Sequence, residues 1–327
     1  MLPGLRSTSA RVFGRRFLPA APVGLTLRVA LGLVLGIALA GCASPGQSLV
    51  SAQFCDRPQV HDAAQQDRML RFAAIVRAEL EASGEEVALI SRTGINLDRL
   101  GIRFSHSGVS LRREGEVPWS VRQLYYACDE RRPRLFDQGI AGFLFNTDDP
   151  TNGHVSMVLL PPAAARQLEQ AARDRQRALR LLAAQYSANA YPFSVRYQNC
   201  NQWVVELLAT AWADLPDGAD LRDRAQRWLA DNGYAPEPVV IDSHPMKFAA
   251  HFMPLIHLDD HPEDDRYGMR IRFSLPQSIE AFVQQRLPQA RRIELCHDER
   301  QVVVRTGWEP IAEGCRPAAD DRVIALG

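Results

Sequence analysis

Two segments of alternating polar and apolar residues place the strongest constraint on the fold. Phe104 to Leu111 and Trp119 to Ala127 each alternate with the period of a half-buried strand. The residues between them include Glu114-Gly115-Glu116, which is typical of a turn. The pattern predicts an antiparallel hairpin, in which His106 lies opposite the region of Gln123 to Tyr125.

Segments with helical and strand periodicity alternate along the rest of the chain. Predicted helices cover 62–83, 162–185, 219–231 and 277–287, and predicted strands cover 87–91, 140–145, 154–160, 269–275, 291–296 and 301–306. This mixture indicates an α+β fold with a mostly antiparallel sheet packed against helices. A boundary is expected at Ala235-Pro236-Glu237-Pro238, between a domain over 55–235 and an α+β C-terminal extension over 236–327.

The first 41 residues have the features of a targeting segment. Arginines precede an apolar run from Val29 to Ala40, which is too short to span a bilayer as a stable helix, so a transmembrane anchor is the less favoured interpretation. The run ends in Leu39-Ala40-Gly41-Cys42, which resembles the lipobox of bacterial lipoproteins. The resemblance implies a signal peptide over 1–41, lipidation of Cys42, and a tether over 42–54. Ala43 at the next position fits a lipid anchor in the outer membrane, facing the periplasm.

The cysteine count predicts one free thiol. Of the six cysteines, lipidation removes Cys42, and five remain in an oxidising compartment. Because five is odd, at least one thiol stays free or pairs between chains. Cys296 and Cys315 flank a predicted hairpin and are natural partners, and Cys55 with Cys128 would tie the N-terminus of the mature chain to the core. Cys200 is then left over.

Cys200 has the surroundings of a nucleophile. It follows Asn199, a good N-cap residue, and precedes a segment with helical periodicity through Trp212. In the first turn of a helix, unpaired amides and the helix dipole favour negative charge, which predicts a lowered thiol pKa. The alternative is a buried structural cysteine.

Thiol catalysis also requires a base and a group that orients it. His106 is the predicted base, since Ser107 and Gly108 leave room beside it for another element. Gln123 is the predicted orienting residue, with His154 and Asp129 as fallbacks. The side chains of Asn199 and Gln198, or the backbone amide of Cys200, are predicted to support the oxyanion.

Two short motifs carry a resemblance to a known superfamily. Phe104-Ser105-His106-Ser107-Gly108-Val109, followed far downstream by Tyr197-Gln198-Asn199-Cys200, resembles the circularly permuted papain-like (NlpC-type) cysteine hydrolases. In their permuted branches, which include lecithin retinol acyltransferase-like proteins, the His strand precedes the Cys helix. The family's third position is a polar residue on the next strand, which falls on or near Gln123. Nearly everything after Cys55 also resembles a bacterial family of lipoprotein-like sequences that is known only as a domain of unknown function.

Composition and motifs argue against several other classes. Acidic and basic side chains are equal in number, 38 of each, so no nucleic-acid partner is implied. No phosphate loop, dinucleotide fingerprint or serine elbow is present, and no cofactor is predicted. His251, His257 and His261 have metal-ligand chemistry, but Pro254 and Pro262 bracket the last two, and a solvated loop without metal is favoured.

Two functions remain open from the sequence. The first is a cysteine-dependent hydrolase or acyltransferase, with Cys200, His106 and Gln123 acting on amide or ester bonds of peptidoglycan or membrane lipid. The alternative is a catalytically inactive envelope lipoprotein that serves as a scaffold or binding module for a protein partner that the sequence does not identify. In both cases the N-terminal lipid would be the contact with the membrane.

Overall fold

A computed structural model describes residues 60–113 and 119–326. The predicted signal peptide over 1–41, the lipidation site Cys42, the tether over 42–54 and Cys55 lie outside these residues. None of the helices that the described residues form is both long and apolar enough to cross a bilayer.

The architecture is built on an eight-stranded antiparallel sheet. Its strands are β1 (Val87–Arg92), β2 (His106–Arg112), β3 (Trp119–Ala127), β4 (Arg132–Gly139), β5 (Gly153–Leu159), β8 (Arg291–His297), β9 (Gln301–Thr306) and β10 (Arg322–Ala325). Their order in space is β10-β9-β8-β5-β1-β2-β3-β4. The short strands β6 (Val239–Val240) and β7 (Arg270–Ile271) form a separate pair. The predicted α+β class with an antiparallel sheet is confirmed.

Helices cover both faces of the sheet, because alternate residues of each strand point to opposite sides. The helices are α1 (Ala63–Ser83), α2 (Ile140–Phe145), α3 (Pro162–Arg173), α4 (Arg175–Arg180), α5 (Cys200–Trp212), α6 (Leu221–Asp231), α7 (His244–Ala250), α8 (Glu263–Tyr267) and α9 (Pro276–Arg286). Ala88 and Ile90 belong to the core that contains α1 and α2. Val87 and Leu89 belong to the core on the other face, with α3, α5, α6 and α9.

Several predicted elements differ from the structure. Residues 140–145 form a helix rather than a strand, because Ile140, Phe143 and Leu144 are buried at helical spacing. The helix predicted over 162–185 is interrupted at Asp174, whose side chain caps α4 by accepting from the backbone amides of Gln176 and Arg177. Of the strand predicted over 269–275, only Arg270–Ile271 pairs. Strands β4 and β10 were not predicted.

Residues on both sides of the predicted boundary at 235 share one sheet. Strand β8 pairs with β5 along its whole length, from Gly153 opposite His297 to Leu159 opposite Arg291. Helix α9 lies in the same core as α5. The intervening residues 239–275, which contain β6, α7, α8 and β7, are called the roof segment below.

Candidate functional site

The nucleophile candidate lies at the start of α5. Asn199 is the N-cap, and its Oδ1 accepts from the backbone amide of Gln202 at 2.7 Å. The Asn199 Nδ2 donates to the carbonyl oxygens of Ala188 and Ser274 at 3.0 and 3.1 Å. Cys200 is the first residue of the helix, as predicted, and it is the free cysteine of the described chain. The local sequence therefore both starts the helix and anchors it to its surroundings.

The side chain of Cys200 is buried beside residues that line a cavity. The side chain is 6% exposed, and its thiol is directed at the carbonyl oxygen of Ser105, 4.0 Å away. Backbone amides of Asn201, Ser107 and Cys200 favour the thiolate, but burial outweighs them and raises the pKa of the thiol to about 11. The sequence predicted the opposite direction from the helix N-terminus. Desolvation is the largest effect, and the backbone hydrogen bonds at the start of the helix act in the predicted direction but are smaller.

His106 is held by the residue that the hairpin register indicated. Its Nε2 lies 2.7 Å from Oε1 of Gln123, and the Gln123 Nε2 donates to Oε1 of Gln138 at 2.7 Å. The imidazole stacks on the Tyr125 ring, with centroids 4.5 Å apart and planes inclined by 16°. The Phe143 ring of α2 lies 5.9 Å away. These contacts fix the ring and leave Nδ1 as the nitrogen available for chemistry.

Gly108 makes the close approach of β2 and β3 feasible. A Cβ at this position would lie 2.6 Å from Cγ1 of Val121 and 2.9 Å from the carbonyl oxygen of Arg122. A side chain here would push β3 away from β2, and with it Gln123. The glycine two residues after His106 is therefore required by the same packing that aligns the imidazole and the amide.

Burial also sets the charge state of His106. The imidazole is 6% exposed, and desolvation, assisted by the positive charge of Arg92, lowers its pKa to about 3. The hydrogen bond to Gln123 acts in the other direction but is the smaller effect. At neutral pH the site therefore holds a neutral imidazole and a protonated thiol.

Arg92 is a site residue that the sequence analysis missed. It lies opposite His106 in the β1–β2 register and is 3% exposed. Its guanidinium donates to the Tyr125 hydroxyl at 2.5 Å and to the carbonyl oxygen of Thr93 at 3.1 Å, and lies over the Phe143 ring. Its Nε has no hydrogen-bond partner, and no described carboxylate pairs with it. The sequence offered one signal: Arg92 directly follows the predicted strand 87–91, at the end of β1 that pairs with His106.

The predicted oxyanion side chains are occupied elsewhere. The Gln198 amide donates to the Leu181 carbonyl and the Glu206 carboxylate, and accepts from the Ala183 amide. The Gln198 side chain therefore stabilises α5 through its hydrogen bond to Glu206 and is not available to bind an oxyanion. The Asn199 side chain caps the same helix. The donors directed at the sulfur are backbone amides, including that of Cys200, which the sequence analysis named as an alternative.

The fallback residues lie away from Cys200. His154 is on β5, where Nδ1 contacts Oε1 of Glu294 at 3.0 Å and Nε2 contacts Sγ of Cys296 at 3.3 Å. Asp129 is in the turn between β3 and β4. His154 with Cys296 and Cys315 has metal-ligand chemistry and close spacing. However, the two sulfurs are joined in a disulfide, which removes them as thiolate ligands.

Two histidines of the roof segment, His257 and His261, support packing. The His257 ring stacks on Tyr197 with centroids 4.4 Å apart. His261 is buried, and its Nε2 contacts the carbonyl oxygen of Asn189 at 2.7 Å. The loop that the sequence predicted to be solvated is therefore partly buried at His261.

The predicted pairing of Cys296 with Cys315 is confirmed. Cys128 is also disulfide-bonded, and its predicted partner Cys55 lies outside the described residues. Cys200 remains the reduced thiol that the odd count predicted.

The candidate nucleophile and base line a cavity of about 490 Å³. Its polar end is formed by Cys200, His106, Arg92, Tyr125 and Asn201. Its remaining walls are largely apolar and come from the roof segment and the loop over 94–100. The size is within the range of small-molecule sites. Cys200 enters the cavity from α5, and His106 from β2, where β3 and α2 support it.

Comparison with protein families gives one match. Residues 79–283, more than half of the chain, match the family described as "Uncharacterized protein conserved in bacteria (DUF2145)". The chain belongs to this family. Comparisons with curated proteins and with solved structures gave no match.

The match to the DUF2145 family spans the whole cavity. It includes Arg92, His106, Gln123, Cys200 and the roof segment, and it crosses the predicted boundary at 235 without interruption.

Proposed function

We propose that this protein is a cysteine-dependent hydrolase or acyltransferase that acts on ester or amide bonds of the bacterial cell envelope. The observation that carries the proposal is that a free cysteine at a helix N-terminus and a histidine oriented by Gln123 line the same cavity. This is the nucleophile, base and orienting group that thiol acyl transfer requires.

In the proposed reaction, Sγ of Cys200 attacks the substrate carbonyl while its proton passes to Nδ1 of His106. A carbon–sulfur bond forms and the carbonyl π electrons move to oxygen. As the tetrahedral intermediate collapses, the bond to the alcohol or amine breaks, and His106 returns the proton to that leaving group. Water or a second alcohol or amine then releases the acyl group from sulfur. Gln123 holds the imidazole by accepting from Nε2–H.

The proposed reaction begins from neutral partners, because a thiol pKa of about 11 and an imidazole pKa of about 3 disfavour proton transfer before attack. With the thiol protonated and the imidazole unprotonated, proton transfer accompanies attack rather than preceding it. Negative charge then develops beside the backbone amides of Cys200 and Asn201 and near the Arg92 guanidinium, which also favours the thiolate. Such fixed donors act strongly in a buried site.

The order of the motifs along the chain supports a permuted papain-like arrangement. The His106 strand precedes the Cys200 helix, and the polar partner Gln123 lies on the strand that follows His106. We propose that this family shares that arrangement with NlpC-type enzymes.

The protein is further proposed to be a lipoprotein of the outer membrane, attached through Cys42 and facing the periplasm. The sequence Leu39-Ala40-Gly41-Cys42 supports this. Replacing Cys42 with Ser is expected to release the protein from the membrane fraction. Retention of the Cys42→Ser protein in that fraction would count against lipidation.

Formation of an acyl-enzyme tests the catalytic proposal. The purified protein is incubated with a p-nitrophenyl ester, and the mass of the intact protein is measured. One added acyl group on Cys200 is expected, absent in Cys200→Ala and formed at least about a hundredfold more slowly in His106→Ala. His251→Ala removes an exposed imidazole outside the cavity and should behave as wild type. A failure of Cys200 to acylate, in a protein that melts cooperatively, would refute the proposal.

A second function is favoured by one observation. The same pKa values describe a thiol and an imidazole that are both uncharged at rest, as in a binding pocket without catalysis. A non-catalytic envelope protein would bind its ligand equally well in wild type and in Cys200→Ala, and would form no acyl-enzyme.

A further inference from the structure

The cavity beside Cys200 has two chemically different ends. Hydrogen-bonding groups of Arg92, His106, Tyr125 and Asn201 line the cavity together with the Cys200 sulfur. Away from the sulfur, the lining side chains are mainly aliphatic or aromatic, among them Leu97, Ile241, Met253, Ile256, Ile271 and Phe273. A ligand that fills this space must carry a polar group at one end and an apolar body at the other.

Most of the apolar wall comes from the roof segment. This segment is attached to the loop before Cys200 by hydrogen bonds: the Ala188 backbone amide donates to the Leu255 carbonyl at 2.8 Å, and the Asn189 side chain donates to the His257 carbonyl at 2.8 Å. The apolar wall is therefore held against the loop that delivers Cys200. The apolar wall and the loop before Cys200 therefore belong to one site.

The charged side chains Lys247 and Asp148 line the cavity, but both are engaged by other groups of the protein and so do not favour a peptide as the ligand. Lys247 is the chain's only lysine, and its Nζ is engaged by the Arg266 carbonyl. Asp148 accepts from the Asn96 backbone amide at 3.2 Å. The apolar wall offers few fixed polar groups to pair with the amides and carboxylates of a wall peptide, which would lose hydration without compensation. A hydrocarbon chain carries no such cost.

We infer that the cavity is an acyl-chain pocket, and that the substrate of Cys200 is an amphiphile whose carbonyl lies at the sulfur and whose hydrocarbon chain extends under the roof segment. The chemistry rests on the proposed function; the binding of the chain rests on the cavity alone. Peptidoglycan peptides are thereby disfavoured as substrates relative to acyl esters.

Exposed residues of the roof segment are relevant to whether the amphiphile comes from a bilayer or from solution. Phe248 and Phe252 are 67% and 73% exposed and contact one another, with ring centroids 5.2 Å apart. Met246, on α7 with Phe248, is also exposed and in addition lines the cavity. Exposed aromatic side chains beside an apolar pocket are suited to contact with a lipid surface. A bilayer and a dispersed amphiphile present the same chain, and the experiment separates them.

Chain-length selectivity tests the pocket. Acylation of Cys200 is measured with p-nitrophenyl acetate, butyrate and octanoate. Each methylene that enters the pocket should raise the second-order rate constant by about fourfold, so octanoate, with about six more methylenes than acetate, should exceed it by on the order of a thousandfold or more when its whole chain enters. Equal rate constants for acetate and octanoate would overturn the inference while leaving the proposed function intact.

Two cavity variants and one control test whether this cavity determines the preference for long acyl chains. Ala250 lines the cavity from the end of α7, and Ala250→Phe should lower the octanoate rate constant by about tenfold while acetate changes less than about twofold. Ala249→Phe adds the same ring to the neighbouring exposed position, outside the cavity lining, and should change neither. Met253→Trp fills the cavity from a different residue and guards against a folding defect in the first variant. No effect of either cavity variant on octanoate would overturn the inference.

Binding without reaction separates the two claims. In Cys200→Ala, displacement of a fluorescent fatty acid by dodecanoate should be saturable and weakened by Ala250→Phe. If dodecanoate binds in this way but no ester acylates the wild type, the pocket stands and the catalytic proposal fails. If no displacement occurs, the pocket itself is refuted.

A vesicle experiment tests whether the hydrocarbon chain comes from a bilayer or from a dispersed amphiphile. An ester-linked lipid in vesicles of phosphatidylethanolamine and phosphatidylglycerol is compared with soluble octanoate ester. In the Phe248→Ser, Phe252→Ser double variant, a loss confined to the vesicle reaction supports a bilayer substrate. Unchanged rates in both reactions support a dispersed amphiphile in the same pocket.

Discussion

The imidazole of His106 and the side-chain amide of Gln123 are joined at 2.7 Å across the pairing of β2 and β3. The amide in turn donates to Gln138 on β4, so the chain of contacts runs across three adjacent strands. Because each member sits on a rigid strand, the orientation of the imidazole is set by the sheet rather than by a loop.

Removing the orienting amide should reduce the rate without abolishing the reaction. Gln123→Leu retains most of the volume but no acceptor, and we expect the acylation rate constant of Cys200 to fall by about 10- to 100-fold. Gln138→Leu is the matched control, since it leaves the bond to His106 in place and should cost less than about threefold. A Gln123→Leu protein with the wild-type rate would show that the amide does not orient the base.

The thiol should titrate far above an ordinary cysteine. With a pKa of about 11 for Cys200, only about one molecule in ten thousand carries the thiolate at pH 7. Alkylation by iodoacetamide should therefore rise about tenfold per pH unit up to pH 9 without a plateau. The urea-unfolded protein with its disulfides intact is the control, and its rate should level off above about pH 8.5. A plateau below pH 9 in the folded protein would contradict the assignment.

Burial of neutral His106 should make the fold sensitive to acid. The unfolded chain protonates this imidazole below its ordinary pKa of 6.5, whereas the folded protein does so only near a pKa of about 3. The unfolded state thus binds more protons between these values, and the free energy of unfolding falls as the pH drops through that window. The contribution is about 1.4 kcal/mol per pH unit.

Urea denaturation of wild type and His106→Gln at pH 4, 5, 6 and 7 measures this contribution. The variant lacks the titrating group, so its free energy of unfolding should depend less steeply on pH, by about 1.4 kcal/mol per unit below pH 6. His297, with a pKa lowered to about 4 by burial, contributes equally to both proteins. Parallel pH dependences would mean that His106 is not buried in the neutral form.

Arg92 should be a residue whose removal costs function but not stability. Its guanidinium is buried, and none of the carboxylates within 60–113 and 119–326 pairs with it, which is unfavourable for the folded state. Arg92→Met is expected to leave the free energy of unfolding unchanged or raise it, and to lower the acylation rate constant of Cys200 by about tenfold or more.

Arg222 provides the contrast, because it is buried in a pair with Glu206 at 2.9 Å. Arg222→Met leaves that carboxylate without its cation and should cost about 3–5 kcal/mol in urea denaturation. A comparable loss of stability in Arg92→Met would show that Arg92 is a structural residue.

The disulfide between Cys296 and Cys315 should support the fold without affecting the site. It closes a sequence separation of 19 residues, and its loss in the Cys296→Ala, Cys315→Ala double variant should reduce the free energy of unfolding by about 3 kcal/mol. Acylation of Cys200 should be unchanged in the variant at 25 °C. A large loss of acylation would mean that this disulfide also orders the cavity.

The elements at the site were predictable because their signals are local. Alternation over 104–111 and 119–127 gave β2 and β3 and brought His106 close to Gln123, and Asn199 marked the start of α5. The apolar run over 140–145 lacks polar alternation, and a short run of this kind does not distinguish a buried helix from a buried strand. The structure resolves it as a helix.

The electrostatics of the site could not be predicted in the same way. A helix N-terminus is visible in sequence, but the desolvation that raises the pKa of Cys200 depends on packing between distant segments. Arg92 resembles the many other arginines of the chain, and only the β1–β2 register reveals that it faces His106. The roof segment has weak periodicity, so its place over Cys200 follows from tertiary contacts with residues 188–201.

One backbone oxygen connects the roof segment to the nucleophile. The Ser274 carbonyl accepts from the side chains of Asn199 and Asn201, the residues on either side of Cys200, at 3.1 and 3.2 Å. Any outward movement of the roof at this point must break both bonds and release the two amides that flank the sulfur. A ligand that entered by displacing the roof segment here would therefore also loosen the two side chains that flank the reactive sulfur.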